Sequence, residues 1–321
     1  MILKKVAIFT VIFSFALANI PKTVAQFTLD VTLETDKTLY MQMELVNITG
    51  NVSFQNELVE DGLIGIQIEN PLNQTIMLRT LPLATETSGG FTIEISSIIF
   101  CDQYGRPIPP TTQKDKYVWI SMTVENKGVT TRTVHASITI VDSNLMPLDI
   151  GRASFTIPPG KTAQFVPRMY IPNWATLGTA FAYANAYSKY PKDGGYPLCP
   201  EKSLQFDIIE STANPPPAEP TQNGTYELNF RLPSHMPSGI YQVTSAAWYI
   251  GYTGFSSKTF ETIKLGDINE DGVVDIYDVT AVCIAYGSKE GDSNWYSKAD
   301  LVKDGVIDVY DLTAVCLLYE G

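Results

Sequence analysis

Histidine is nearly absent from the 321-residue chain, with only His135 and His235 present. That excludes a His-rich metal site. Charge is also sparse: 17% of residues are charged, and the formal net charge is −12. A nucleic-acid binder needs clustered Lys and Arg facing phosphates, so this balance argues against one. Four cysteines are too few for a small fold stapled by disulfides. No apolar run reaches the ~20 residues that a membrane-spanning helix requires. The uncharged apolar run Val6 to Ala18 is shorter than that. HExxH, GxSxG and a glycine-rich phosphate loop are missing as well, so no catalytic constellation is legible.

What is present begins with a basic start, Lys4-Lys5, followed by the Val6–Ala18 run and the small-x-small triplet Ala16-Leu17-Ala18. Thr23-Val24-Ala25 is a second candidate cleavage site. Residues 1–25 therefore read as a secretory signal peptide. The expected location is extracellular or at the cell surface, with no membrane span in the mature chain.

Hydrophobic residues make up 45% of the chain, enough for packed cores. Over 26–98 they alternate with polar ones in short runs, as in Val46-Asn47-Ile48-Thr49 and Ile64-Gly65-Ile66-Gln67-Ile68. Period two with Gly, Asn and Pro between the runs predicts strands and turns, and the spacing predicts a β-sandwich. The order TDKTLY, VNITGNV, GLIGIQIENP, GGFTIEI resembles the Ig-like or macroglobulin-like modules of secreted proteins. A second β block covers 99–210, where VENKG and IPPGKT resemble a CARDB-like or fibronectin-like sandwich of surface proteins. Cys101 and Cys199, at its two ends, are expected to bridge in an oxidising exterior; two separate buried thiols are the alternative. Residues 211–224 are a Pro-rich linker. The three strand runs of 225–263 are too few to bury a core alone. They either complete the first sandwich, making 99–210 an insertion, or end the second.

Phe181, Tyr183 and Tyr187 alternate with alanines on one strand. An exposed aromatic row would stack on sugar rings; a row packed into the sandwich is the other reading. Asn47, Asn51, Asn73 and Asn223 begin N-glycosylation sequons.

The tail, 264–321, concentrates the negative charge, with 12 Asp and Glu against 4 Lys and Arg. It contains a repeat at an offset of 33, running from Asp267 to Asp278 and from Asp300 to Asp311. A hard cation takes many oxygen ligands, and a 12-residue loop offers them at positions 1, 3, 5, 7, 9 and 12. The first loop supplies Asp267, Asn269, Asp271, the Val273 carbonyl, Asp275 and Asp278. The second supplies Asp300, Asp304, the Val306 carbonyl, Asp308 and Asp311. The expected cofactor is Ca2+. Gly272 and Gly305 at position 6 permit the sharp turn.

Two such loops, each followed by a helix and each ending in Asp, resemble a type I dockerin domain. The resemblance implies a calcium-folded module that docks onto a cohesin-like or other protein partner. Two departures stand out. Val302 at position 3 of the second loop offers no side-chain oxygen, and Lys303 follows it, so a weaker second site is expected. Positions 10 and 11, where many type I dockerins carry Ser/Thr pairs, are Ile276-Tyr277 and Val309-Tyr310. This apolar face suits a hydrophobic partner or the chain's own β domains. Val279, Val282, Cys283 and Tyr286 share a stripe by helical spacing, as do Leu312, Val315, Cys316 and Tyr319. Cys283 and Cys316 are therefore expected in the small core, with a disulfide between them as the alternative.

The expected architecture is mainly β: two Ig-like β-sandwich domains followed by a small all-α dockerin domain of paired EF-hand-like loop-helix units. The expected function is a secreted, non-catalytic calcium-binding protein. An accessory of polysaccharide breakdown with carbohydrate-binding sandwiches is the alternative, and a glycoside hydrolase on an unrecognised β fold is a third reading.

Overall fold

A computed structural model describes residues 29–84, 90–209 and 224–320. The expected signal peptide and nearly all of the expected Pro-rich linker lie outside the described residues. The protein is mainly β, with its two α-helices, Ile276–Ala285 and Val309–Leu317, in the tail. Among the described residues no helix is long and apolar enough to cross a membrane.

The first sandwich opposes two sheets. In one, Leu45–Phe54 lies between Leu29–Val31 and Thr225–Arg231. In the other the order is Leu39–Met41, Tyr252–Ile263, Gly239–Tyr249, Leu63–Glu69 and Thr75–Pro82. Strands from 225–263 thus enter both sheets: Thr225 pairs with Asn51 through to Arg231 with Leu45, and Gln242 with Glu69 through to Trp248 with Leu63. Val46, Ile48, Ile64, Ile66, Ile68, Phe230, Tyr241 and Phe260 fill the space between the sheets.

The second sandwich is formed by the intervening chain. One sheet centres on Lys116–Asn126, paired with Ile93–Cys101, Thr162–Phe165 and Arg168–Ile171. The other runs Pro147–Ile157, Arg132–Val141, Gly178–Tyr187, Lys202–Ile208 and Thr111–Thr112. The boundary expected between 98 and 99 falls inside the strand Ile93–Cys101, which pairs with Lys116–Asn126 from Ile93 to Cys101. Its inward side chains Ile93, Ile95, Ile98 and Phe100 need the second core, so residues 93–98 belong with this sandwich.

The two sandwiches share an interface. Strand Thr75–Pro82 ends its sheet, so one row of its backbone groups lacks a strand partner, a situation that invites aggregation unless it is covered. Here the second sandwich covers it. The Leu78 N–H donates to Thr139 Oγ1 at 3.2 Å, and the same hydroxyl donates to Leu78 O at 3.0 Å. The Tyr187 hydroxyl donates to Arg79 O at 2.9 Å, and the Thr80 N–H donates to Glu201 Oε2 at 3.0 Å. This explains why Leu63–Glu69 is buried at every position despite its alternating sequence. Ile64, Ile66 and Ile68 face the core, while Gly65 faces Tyr187 and Pro197, and Gln67 and Glu69 meet Lys192.

Strand Gly178–Tyr187 turns its alanines into the second core and its aromatics toward this interface. The Arg79 guanidinium lies 3.4 Å from the Tyr183 ring centre, and Tyr187 is fully buried. The row is packed against protein, which overturns its reading as an open sugar platform.

The expected Cys101–Cys199 bridge is also overturned, because both thiols are free and buried. Cys101 ends the strand opposite Trp119. Cys199 takes a backbone hydrogen bond at Ile95, six residues back along the same strand, or roughly 20 Å of extended chain. A disulfide needs Cα atoms within about 7 Å.

Candidate metal centre and docking face

The tail folds as two copies of one loop-helix unit. In each loop the first Asp accepts from the backbone. The Asp271 and Gly272 N–H groups donate to Asp267 at 3.1 and 2.9 Å, and those of Asp304 and Gly305 donate to Asp300 at 3.2 and 3.1 Å. Positions 4 and 6 of both loops take positive φ: Glu270 65° and Gly272 91°, Lys303 60° and Gly305 80°. Glycine at position 6 makes that turn without strain.

Position 9 starts each helix. Asp275 and Asp308 are N-caps that accept from the Tyr277 and Tyr310 N–H groups at 2.8 Å. Position 12 closes a capping box, with Asp278 Oδ2 accepting from the Asp275 N–H and Asp311 Oδ2 from the Asp308 N–H, both at 2.9 Å. The other oxygen reaches back to the loop entrance: Asp278 Oδ1 accepts from the Ile268 and Asn269 N–H groups, and Asp311 Oδ1 from that of Val302.

Among the described residues no group of three or more His, Cys, Asp or Glu side chains stands in an arrangement that could hold a metal ion, and the loop carboxylates are instead engaged with backbone N–H groups. The donor chemistry nevertheless suits a hard cation. Asp267, Asp278, Asp300 and Asp311 are all buried, and none belongs to a described ion pair. Burial pushes the Asp267 carboxyl up, and the charges of Asp278 and Asp271 add to it against two backbone N–H groups. A cation bound among them would supply the missing countercharge. Asp267, Asn269, Asp271, Val273, Asp275 and Asp278 are the residues that would hold one in the first loop. In the second, Asp300, Asp304, Val306, Asp308 and Asp311 would do so with one ligand fewer.

The helix stripes differ from expectation. The buried residues of the first helix are Asp278, Val282 and Ala285, and those of the second are Asp311 and Val315. Cys283, Cys316, Tyr286 and Tyr319 are exposed, and both thiols are free. The position-12 Asp must turn inward to close its loop, and this rotates the inner face by about one residue from the hydrophobic count. Ile268, Val274, Ala299 and Ile307 complete this core.

The outer face is therefore apolar. Ile276, Tyr277, Val309 and Tyr310 are all more than half exposed, and Ile284 and Leu317 are 74% and 82% exposed. Contact with the first sandwich comes from elsewhere. The Leu265 N–H donates to Gln42 Oε1 at 3.1 Å, and Lys303 Nζ lies 3.7 Å from Glu44 Oε1, beside a cleft of about 530 Å³.

Residues 265–316 match the family model for the Dockerin type I domain. The dockerin segment contains both loops and nearly all of both helices. No curated protein matches the sequence. Among solved structures the chain is similar to the C-terminal domain of Wzt, at 14% identity over 39% of this chain and 78% of that one, with a TM-score of 0.31. It is also similar to a Bacteroides uniformis beta-glucuronidase, at 8% identity over 53% and 26%, with a TM-score of 0.29. A third is the Pseudomonas fluorescens alkylpurine DNA glycosylase AlkC bound to DNA with an abasic site analog, at 12% identity over 37% and 31%, with a TM-score of 0.27. The chain spans less than a third of the length of the glycosylase and the glucuronidase.

Proposed function

We propose that this is an exported, non-catalytic protein whose dockerin segment folds around calcium and docks onto a protein partner, with the two sandwiches as the body it carries. The observation that carries this reading is the duplicated loop. Each copy buries its first and last carboxylates with backbone donors but no cationic side chain, so cation binding and folding of the loop are coupled. The family match supports calcium and a cohesin-like partner. The apolar outer face favours a partner with a hydrophobic rather than a charged surface, because Ile276-Tyr277 and Val309-Tyr310 replace polar pairs in both copies. That face is exposed to solvent, which leaves it open to a second protein.

Calcium titration calorimetry on the chain from residue 26, with far-ultraviolet circular dichroism, tests the reading. The expected result is saturable calcium binding with a gain in helix, strongly weakened in Asp271→Ala. Absence of calcium binding in the wild type would sink the proposal. Cohesin modules immobilised with and without calcium then test the partner; capture that needs calcium and weakens in Tyr277→Ala and Tyr310→Ala is expected.

A further inference from the structure

The second sandwich carries a cleft lined by no residue of the dockerin segment. In strand Lys116–Asn126, Val118, Ile120, Met122 and Val124 enter the core, while Tyr117, Trp119 and Thr123 lie on the other face of the sheet, where Gln164 covers the buried Ser121. Cross-strand pairing extends this surface. Tyr117 stands opposite Tyr170 and Trp119 opposite Arg168, and the Tyr117 and Tyr170 ring centres are 5.1 Å apart. The turn after Ile93–Cys101 folds beside it and brings Tyr104, which is 74% exposed, to the rim. Tyr104, Arg106, Ile108, Thr112, Tyr117 and Trp119 line a cleft of about 370 Å³, at the small end of ligand-binding clefts.

The polar groups here are set in place. Asp102 Oδ1 accepts from the Tyr104 and Arg106 N–H groups at 2.9 and 3.0 Å, while its other oxygen takes the Arg106 Nε–H at 2.7 Å. The Arg168 guanidinium lies 4.3 Å from the Tyr117 ring centre, and the Tyr170 hydroxyl donates to Asp115. Asp102 and Arg106 thus neutralise each other at the cleft, and the Arg168 charge lies over the Tyr117 ring. What remains is a wall of tyrosine and tryptophan rings beside planar guanidinium and carboxylate groups and a threonine hydroxyl. A ligand that fits has an apolar flat face for the rings and a rim of hydroxyls for the planar polar groups. A pyranose has both.

We propose that this cleft binds a neutral saccharide, with Tyr104 and Tyr117 as the stacking platform and Arg106 and Asp102 as the hydroxyl-recognising pair. The proposal uses no residue of the dockerin segment and stands or falls separately from the docking reading.

The test is calorimetric titration of the chain from residue 26 with a panel of neutral hexaoses, namely cellohexaose, xylohexaose, mannohexaose and maltohexaose. Intrinsic tryptophan fluorescence is followed in parallel, with Trp119→Phe assigning the part that comes from the cleft. The expected result is saturable binding of at least one hexaose. Affinity is expected to fall tenfold or more in Tyr104→Ala and in Tyr117→Ala, with unchanged Tm, and to stay unchanged in Tyr277→Ala on the dockerin face. Binding of none of the four sugars would overturn the proposal. Binding that survives both platform substitutions would overturn it equally.

Discussion

Arg79 and Glu201 meet across the two sandwiches in a two-pronged ion pair. Arg79 Nε and Nη2 both donate to Glu201 Oε1, at 3.1 and 2.9 Å, and Nε also reaches Oε2 at 3.0 Å. Both side chains are largely buried. Burial alone would lower the affinity of Arg79 for its proton, and the charge and hydrogen bonds of Glu201 together with Tyr183 and Tyr187 more than offset it. The same carboxylate accepts the Thr80 N–H, so one side chain satisfies both a guanidinium and an uncovered strand edge.

Removing one partner leaves the other charge buried and unpaired, which costs about 3–5 kcal/mol. Glu201→Ala is therefore expected to lower the unfolding free energy of the chain by that order in urea denaturation. Arg79→Met/Glu201→Leu is expected to lose much less than either single change.

Gly65 has no room for a side chain. A Cβ there would lie 2.9 Å from Tyr187 Cε1 and 3.1 Å from Pro197 Cγ, both on the second sandwich. Gly65→Ala is expected to destabilise by about 1–3 kcal/mol through overpacking. Its signature in thermal unfolding is separation of one transition into two, because the clash falls between the sandwiches.

The second loop lacks a ligand only at Val302, and the backbone around it already matches the first loop. Val302→Asp is expected to tighten the weaker of two calcium-binding steps by about tenfold in calorimetry, since ligand charge count sets affinity in such loops. Asp304→Ala is expected to abolish that step and leave the other intact.

The four thiols divide into two classes. Burial pushes Cys199 up to about 12 and also raises Cys101, so at pH 8 both stay protonated and shielded, and thiolate is the reacting form. Cys283 and Cys316 are exposed. Iodoacetamide at pH 8 is expected to label two cysteines per native chain and four after denaturation, with mass spectrometry locating the native labels on the tail.

The duplicated loop-helix unit was legible in the sequence because it is local. Every ligand candidate from Asp267 to Asp278 lies within one 12-residue stretch, and the glycine and the two terminal carboxylates act through backbone groups in the same stretch. The strands were legible for a similar reason, since alternation has a period of two and needs only a short window. Neither window could report that Asp278 and Asp311 turn inward. Counting apolar residues placed Cys283 and Cys316 in the core, whereas the carboxylates took that place and the thiols moved outside.

What the sequence by itself determined is the kind of each part: β blocks, an acidic duplicated tail and an apolar pair near the end of each loop. Which strands share a sheet was decided only in three dimensions. Thr225–Arg231 lies beside Leu45–Asn51, across an intervening sandwich, because the Val46, Ile48 and Phe230 side chains close one core. The aromatic row of Gly178–Tyr187 could have faced solvent or protein by its sequence alone. It faces protein because the edge of Thr75–Pro82 needs hydrogen-bond partners that Thr139, Tyr187 and Glu201 supply. Local patterns encode what a segment is, and long-range packing decides what covers it, because covering depends on surfaces far apart in the chain.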